Sequence, residues 1–300
     1  MRVTSNMATQ NAIASIAAAR DRMEAVQVQL TTGRKFQSAS EDPSAASSVM
    51  QNDGQLRAID QYQRNVGTAN QRASLEEGVL DELTALLNRA REITISQAGD
   101  TASPESRKAA GAEVNQLLAQ AVQLANTKSG NEFLFGGNTS GTAPFTVATG
   151  TAYTFAPAVT APSGARQIEI GARQLIIANH DGTQVFGTAA SGPLKALQDL
   201  AAALQTGSGG AVVALIPSMV AEVANVQTLI GETGARANRL QITESNLAAL
   251  RNQLTAFNSN LQDVDMEAVI TELTGRQTAY QAAMVATARV AGLSLADYLR

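Results

Sequence analysis

Hydrophobic residues spaced alternately three and four apart are the feature that most restricts the fold of this 300-residue chain. The first series follows a break that ends in Pro43, and it places one apolar stripe along a long helix, the pattern of a coiled-coil seam. The series consists of Ile59, Tyr62, Val66, Ala69, Ala73, Glu76, Leu80, Leu83, Leu87, Ala90 and Thr94. The sequence therefore predicts a helix much longer than the average helix of a globular protein.

A second series predicts another long packed helix towards the other end of the chain. It consists of Leu240, Leu247, Leu254 and Leu261, with Leu250, Phe257 and Val264 at the alternate seam positions. The pattern slips at residues 263–265, where an aspartate can cap a new helix, and Leu273, Tyr280 and Met284 resume it in a different phase.

The N-terminal segment carries a similar but weaker stripe. Ile13, Ile16, Met23 and Leu30 lie on one face of a predicted helix that ends at Gly33. Neither this helix nor the last one has a partner in its own part of the sequence. We therefore expect the two ends of the chain to pair with each other or with neighbouring subunits.

The middle of the chain has a different pattern of glycines and apolar residues. A break near residues 99–104 and a helical stretch over 105–128 predict an antiparallel helical hairpin. Glycines and alternating apolar residues over 130–192, including the strand-like stretches 153–155, 168–170 and 175–177, predict a small β-rich insertion. Helical patterns return at Pro193 and Pro217, on either side of a glycine-rich linker.

Composition excludes several classes of function. The net charge is −4 and the basic residues are scattered, whereas nucleic-acid binding requires clustered cations. No apolar run is expected to reach the roughly 18 residues that cross a bilayer, so no membrane partner is expected. The chain has no cysteine, which excludes disulfides and thiolate metal sites.

Two polar residues could carry chemistry. His180 is the only histidine, and its setting between Asn179 and Gly182 predicts a solvent-exposed turn between two strands. Glu76 is the one charged residue of the first seam. It could set the helix register, but we favour a position at a solvent-exposed (wet) end of the seam or a side chain turned to the side of the seam. No nucleophile elbow accompanies the histidine, so we expect no enzyme activity, no metal and no cofactor.

The two ends of the chain and the entry to its middle carry a family resemblance. Residues 30–43 resemble the stretch of flagellin-like proteins in which a first helix ends at glycine and a loop leads into a long helix. Residues 231–240 look like the family's turn into its long C-terminal helix, and residues 263–266 resemble its break before the last helix. Residues 130–137 and 181–186 are similar to the entry and exit of its outer domain. The ending, residues 290–299, is similar to the hook-filament junction branch of the family rather than to the flagellins.

The resemblance implies a mainly α fold with a β-rich insertion, an elongated helical rod built from N- and C-terminal coiled-coil segments. It divides the chain into an N-terminal assembly arm (1–42), the two halves of the rod (43–129 and 193–264), an outer β-rich domain between them (130–192) and a C-terminal arm (265–300). The residues expected at the assembly interface are Ile13, Ile16, Met23, Leu30, Leu273, Tyr280, Met284, Leu293, Leu295 and Leu299.

The function that the resemblance implies is a structural subunit joining flagellar hook to filament. Its expected partners are the other hook-associated junction protein, flagellin, an export chaperone and further copies of itself in a ring. Its expected location is outside the cell, after export without a cleaved signal peptide. A minor flagellin is the first alternative, and a surface carbohydrate-binding module on a helical stalk is the second.

Overall fold

The computed structural model describes residues 2–99, 102–148, 154–157, 163–164 and 166–298. The chain forms two compact units. The segments Met1–Ala58 and Leu250–Arg300 form the first, called here the terminal unit, and Ile59–Ala249 forms the second, called the central unit. The described residues are mainly α-helical with small β-sheets in the middle of the chain, which confirms the predicted fold class.

The terminal unit contains helices α1 (Arg2–Thr32) and α8 (Met266–Tyr298), together with the first part of α2 (Pro43–Gln97) and the last part of α7 (Ile216–Gln262). Three predicted boundaries are confirmed here: the end of α1 at Gly33, the start of α2 at Pro43 and the aspartate cap before α8. Gly33 follows α1 in the left-handed region, with φ +69°, which glycine adopts without steric cost.

Aspartate side chains cap the starts of two of these helices. The Asp42 carboxylate accepts hydrogen bonds from the backbone N–H groups of Ser44 (3.1 Å) and Ala45 (2.9 Å) at the start of α2. The Asp265 carboxylate accepts a bond from the N–H of Glu267 (3.0 Å) at the start of α8. Each carboxylate satisfies amides that have no partner within the helix.

The central unit adds α3 (Pro104–Ala125), α4 (Gly182–Phe186), α5 (Pro193–Thr206) and α6 (Gly209–Val213) to the remaining parts of α2 and α7. Helices α3 and α5 pack together, and one apolar core joins them to α2 and α7. An ion pair of 2.7 Å between Arg89 on α2 and Glu113 on α3 lies across the predicted hairpin.

The first seam is the buried face of α2, and its part from Leu80 to Ala90 packs in this core. Every residue of the predicted series is buried except Tyr62, which is half-buried. Leu80, Leu83 and Leu87 are completely buried, and burial of each leucine contributes about 1.5–3 kcal/mol relative to exposure. The prediction of a long helix with one buried stripe is confirmed.

The β-rich insertion consists of two-stranded antiparallel sheets within the described residues. These pair β1 (Lys128–Ser129) with β2 (Glu132–Phe133), β3 (Phe145–Ala148) with β4 (Thr154–Pro157), and β5 (Gln167–Gly171) with β6 (Gln174–Ile177). The strands predicted at 168–170 and 175–177 are confirmed. Of the stretch 153–155, the last two residues begin β4, and Tyr153 lies outside the described residues.

Two expectations about α7 are wrong. The helix runs without a turn through residues 231–240. This stretch has no proline, and the cost of its two glycines in a helix, about 1 kcal/mol each, is offset at least in part by burial of Leu240. In addition, Leu250 and Phe257 are exposed rather than packed in a seam. The seven-residue spacing of the leucines is present, but of the seam residues on α7 only Leu240 and Leu247 are fully buried.

The expectation that no apolar run is long enough to span a membrane is also wrong. One stretch meets the criteria of length and composition. Residues 209–262 contain an 18-residue window apolar enough to span a membrane, of which 28% is buried. The window is apolar because alanine, valine, leucine and isoleucine are frequent there. Val212, Met219, Val223 and Val226 from this part of the chain lie in the core, which accounts for part of the apolar content.

Candidate assembly surface and buried ion-pair site

Helices α1 and α8, which carry the predicted assembly residues, pack against each other within the terminal unit. On α1, Ile16, Met23 and Leu30 are half-buried, whereas Ile13 is 59% exposed. Val26, on the same stripe, is buried. The α1 stripe therefore lies partly against the chain itself and leaves Ile13 accessible.

The predicted residues of α8 divide in the same way. Leu273 and Tyr280 are half-buried, whereas Met284 is 40% exposed. Leu293 and Leu295 lie on the α8 backbone, but their side chains fall outside the described residues, as does the whole of Leu299. Ile13 and Met284 are thus the two predicted residues whose described side chains are available to another molecule.

Backbone hydrogen bonds join the loop after α1 to the break between α7 and α8. The N–H of Lys35 donates to the carbonyl of Gln262 (2.6 Å), and the N–H of Val264 donates to the carbonyl of Gly33 (3.0 Å). The Lys35 ammonium also donates to the carbonyl of Asn260 (2.6 Å). These contacts, which sequence reasoning missed, bring the two breaks of the terminal unit together.

A second site lies in the central unit around the only histidine. Nδ1 of His180 lies 2.6 Å from Oε1 of Glu76, and the backbone N–H of His180 donates to the same oxygen (3.0 Å). Nη1 of Arg236 donates to Oε2 of Glu76 (3.0 Å). The other ring nitrogen, Nε2, lies 2.9 Å from Oε2 of Glu232. Residues from α2, the insertion and α7 therefore meet around one carboxylate.

The structure contradicts both expectations about this site. Glu76 is 0% exposed and His180 is 5% exposed, so the glutamate does not lie at a wet end and the histidine does not lie in a solvent-exposed turn. His180 lies between β6 and α4, not between two strands, because Asp181 caps α4. A buried carboxylate is tolerated here because three donor groups surround it.

Neighbouring polar groups extend the site. The Asn179 amide donates to the carbonyl of Leu134 (2.6 Å), and its side-chain oxygen accepts a long bond from Arg72 (3.4 Å). Arg72 and Arg166 both pair with the carboxylate of Glu132, and the hydrogen bond from Arg166 is the main cause of the lowered pKa of Glu132. The insertion is thus joined to α2 by charged hydrogen bonds.

The pKa of His180 reflects opposing influences. Burial lowers it by disfavouring the charged ring, whereas the hydrogen bonds to Glu76 and Glu232 raise it, and the net effect is a pKa above the ordinary value. Among the residues that the structure describes, no group of three or more acidic or histidine side chains could hold a metal ion. The contacts of His180 with Glu76 and Glu232, and of Arg236 with Glu76, make the site ionic, and the raised pKa favours the protonated ring.

Both ends of the chain match models of a known family. Residues 3–140 match the bacterial flagellin N-terminal helical region, and residues 213–299 match the bacterial flagellin C-terminal helical region. The chain belongs to the flagellin family. Within this flagellin-family chain, Glu76 and Arg236 lie in the two matched regions, whereas His180 lies between them.

Curated relatives align with this flagellin-family chain over most of its length. It is 29% identical to the flagellar hook-associated protein 3 of Escherichia coli strain K12, over 89% of this chain and 90% of that protein. It is 27% identical to the flagellar hook-associated protein 3 of Salmonella typhimurium strain LT2, over 98% of both.

A solved structure shows the same fold. The structure of a flagellar hook-associated protein from Vibrio parahaemolyticus superposes with a TM-score of 0.65 at 20% sequence identity, and the match covers 74% of this chain and all of that one. The helical architecture of the flagellin family is therefore retained at low sequence identity.

Proposed function

We propose that this chain is a structural subunit of the bacterial flagellum that joins the hook to the filament. The observation that carries the proposal is the alignment of 98% of the chain with 98% of a hook-associated protein 3, together with the family match at both ends. The proposed location is the extracellular flagellum, after export without a cleaved signal peptide.

The proposed mechanism of assembly uses the terminal helices. Helices α1 and α8 pack along each other, and Ile13 and Met284 remain exposed, which supports contact with a neighbouring subunit through this pair of helices. The predicted five-part division, with assembly arms at 1–42 and 265–300, is part of the same proposal. So are the finer partners: a ring of identical subunits, the other hook-associated protein, flagellin and an export chaperone.

Deletion of the gene tests the proposed function. Cells without this chain should carry hooks that lack filaments and should release flagellin into the medium, as seen by electron microscopy and flagellin blotting. Normal filaments would contradict the proposal. Shortened filaments on hooks would instead favour the minor flagellin, an alternative that the family match to flagellin helical regions supports.

The variant Ile13→Asp is expected to prevent assembly while leaving the chain folded. Ile13 is exposed in the single chain, so the substitution removes no core contact, but an uncompensated charge in an apolar interface costs several kcal/mol. Expressed in the deletion strain, the variant should restore few or no filaments. Circular dichroism should show the same helical content as the unmodified protein.

The control for this variant is Ser15→Asp. Ser15 lies on α1 at about 200° around the helix axis from Ile13, and its exposed hydroxyl donates only a local bond to the carbonyl of Ala12. The variant Ser15→Asp adds the same charge to the same helix as Ile13→Asp, and it should restore filaments. Equal motility with both variants would show that Ile13 does not contribute to the interface.

A further inference from the structure

The imidazole of His180 has two potential partners on one nitrogen. Nε2 lies 2.9 Å from Oε2 of Glu232 and 3.2 Å from Nη2 of Arg236. A guanidinium can only donate a hydrogen bond, and an ionised carboxylate can only accept one. A ring nitrogen does one or the other, according to whether it carries a proton. The two contacts therefore belong to different protonation states of the ring.

The other ring nitrogen does not share this ambiguity. Nδ1 lies 2.6 Å from Oε1 of Glu76, and the remaining bonds to this carboxylate come from donors, the backbone N–H of His180 and Nη1 of Arg236. Nδ1–H therefore donates to Glu76 whether the ring is neutral or charged. A second proton must go to Nε2, where it removes the acceptor of Arg236 and provides a donor to Glu232.

We propose that His180 is a proton-controlled switch whose Nε2 exchanges Arg236 for Glu232 as its partner, and that protonation strengthens the attachment of the β-rich insertion to helices α2 and α7. The charge balance supports this direction. With a neutral ring, Glu76, Glu232 and Arg236 together carry one negative charge, and the proton on His180 brings the group to neutrality.

The charged residues around His180 come from three parts of the chain. Helix α2 contributes Arg72 and Glu76, and helix α7 contributes Glu232 and Arg236. The insertion contributes Asp181, which caps α4, and the Glu132–Arg166 pair that binds Arg72. Arg236 opposes protonation of the ring, whereas Glu76 and Glu232 favour it. Asp181 and Glu132 each have donors of their own.

The raised pKa of His180 fixes the sign of the pH dependence. The folded chain binds the proton more tightly than the unfolded chain, whose histidine has a pKa of about 6.5. The stabilisation is therefore fully present below about pH 6.5 and is lost as the pH rises through the folded pKa. The attachment of the insertion is expected to be stronger in mild acid than in mild base.

Because His180 is the only histidine, its imidazole resonances report the switch directly by nuclear magnetic resonance in the full chain. A titration from about pH 5 to about pH 9 should give a pKa above about 6.5 in the unmodified protein. Glu232→Gln should move the midpoint to lower pH, because it removes the charged acceptor of the protonated ring. The side chain of Glu232 is 59% exposed, so this variant is expected to fold.

Glu244→Gln is the matched control, since Glu244 is an exposed glutamate on the same helix and the charge change is identical. It should leave the midpoint close to that of the unmodified protein. Equal midpoints for the two variants, or a midpoint below about 6.5 in the unmodified chain, would overturn the proposal. A second readout is the urea midpoint of unfolding, which should fall from mild acid to mild base more in the unmodified protein than in His180→Gln.

Discussion

Replacement of Glu76 with alanine is expected to lower the free energy of unfolding of the central unit by about 3–5 kcal/mol, the range for breaking a buried ion pair by removing one partner. The Glu76 carboxylate is completely buried and accepts bonds from Nδ1–H and the backbone N–H of His180 and from Arg236. Its removal leaves three buried donors without their acceptor: the Nδ1–H and the backbone N–H of His180, and Nη1 of Arg236. Urea unfolding followed by circular dichroism measures the loss.

The neighbouring residue supplies the control for that experiment. Glu77 is exposed on the same helix, and Glu77→Ala removes the same side chain from solvent rather than from the core. We expect it to change stability by no more than about 0.5 kcal/mol. A loss below about 1 kcal/mol for Glu76→Ala would mean that the carboxylate is solvated in solution and that the three bonds to it are not formed.

The long helices could be predicted because their signals are local. The three-four spacing over residues 59–94, the proline at the start of α2 and the glycine after α1 each act within a few residues along the chain. For the same reason the aspartate that caps α8 was recognisable. Such signals locate a helix and its buried stripe, and they say little about which element covers the stripe.

The exposed residues of α7 illustrate the limit of the same pattern. Leu250 and Phe257 have the spacing of a seam, yet they lie on a face that nothing in the described chain buries, whereas Leu240 and Leu247 are buried. A heptad repeat shows that apolar side chains share an edge of a helix. Whether another part of the chain reaches that edge depends on tertiary packing.

The buried ion-pair site could not be predicted because its members are far apart in sequence. His180 contacts a residue 104 positions earlier, and Arg236 contacts one 160 positions earlier. The polar residues around His180 are typical of a turn, and they favoured the prediction that this histidine is exposed to solvent. The available signal was Glu76 itself, because one charged residue in an otherwise apolar seam requires a buried partner if the seam packs along its whole length.

The entry and exit of the insertion meet in an aromatic cluster. Phe135 follows β2, Phe145 begins β3 and Phe186 ends α4, and the side chains of all three are buried. The ring centroids of Phe135 and Phe186 lie 5.1 Å apart at 80°, and those of Phe145 and Phe186 lie 5.7 Å apart at 62°. Edge-to-face pairs of this kind add about 0.5–1.5 kcal/mol to the stabilisation from burial. Phe186 is therefore central to the packing where the insertion begins and ends.

Replacement of Phe186 with alanine is expected to cost about 3–5 kcal/mol of unfolding free energy, because it leaves a cavity and removes both aromatic pairs. Phe133→Ala is the matched control, since Phe133 is half-buried and contacts the Lys128 ammonium at 4.8 Å from the ring centroid. Urea unfolding should show a loss less than half as large for this variant. Comparable losses for the two variants would contradict a central role of Phe186 in the packing where the insertion begins and ends.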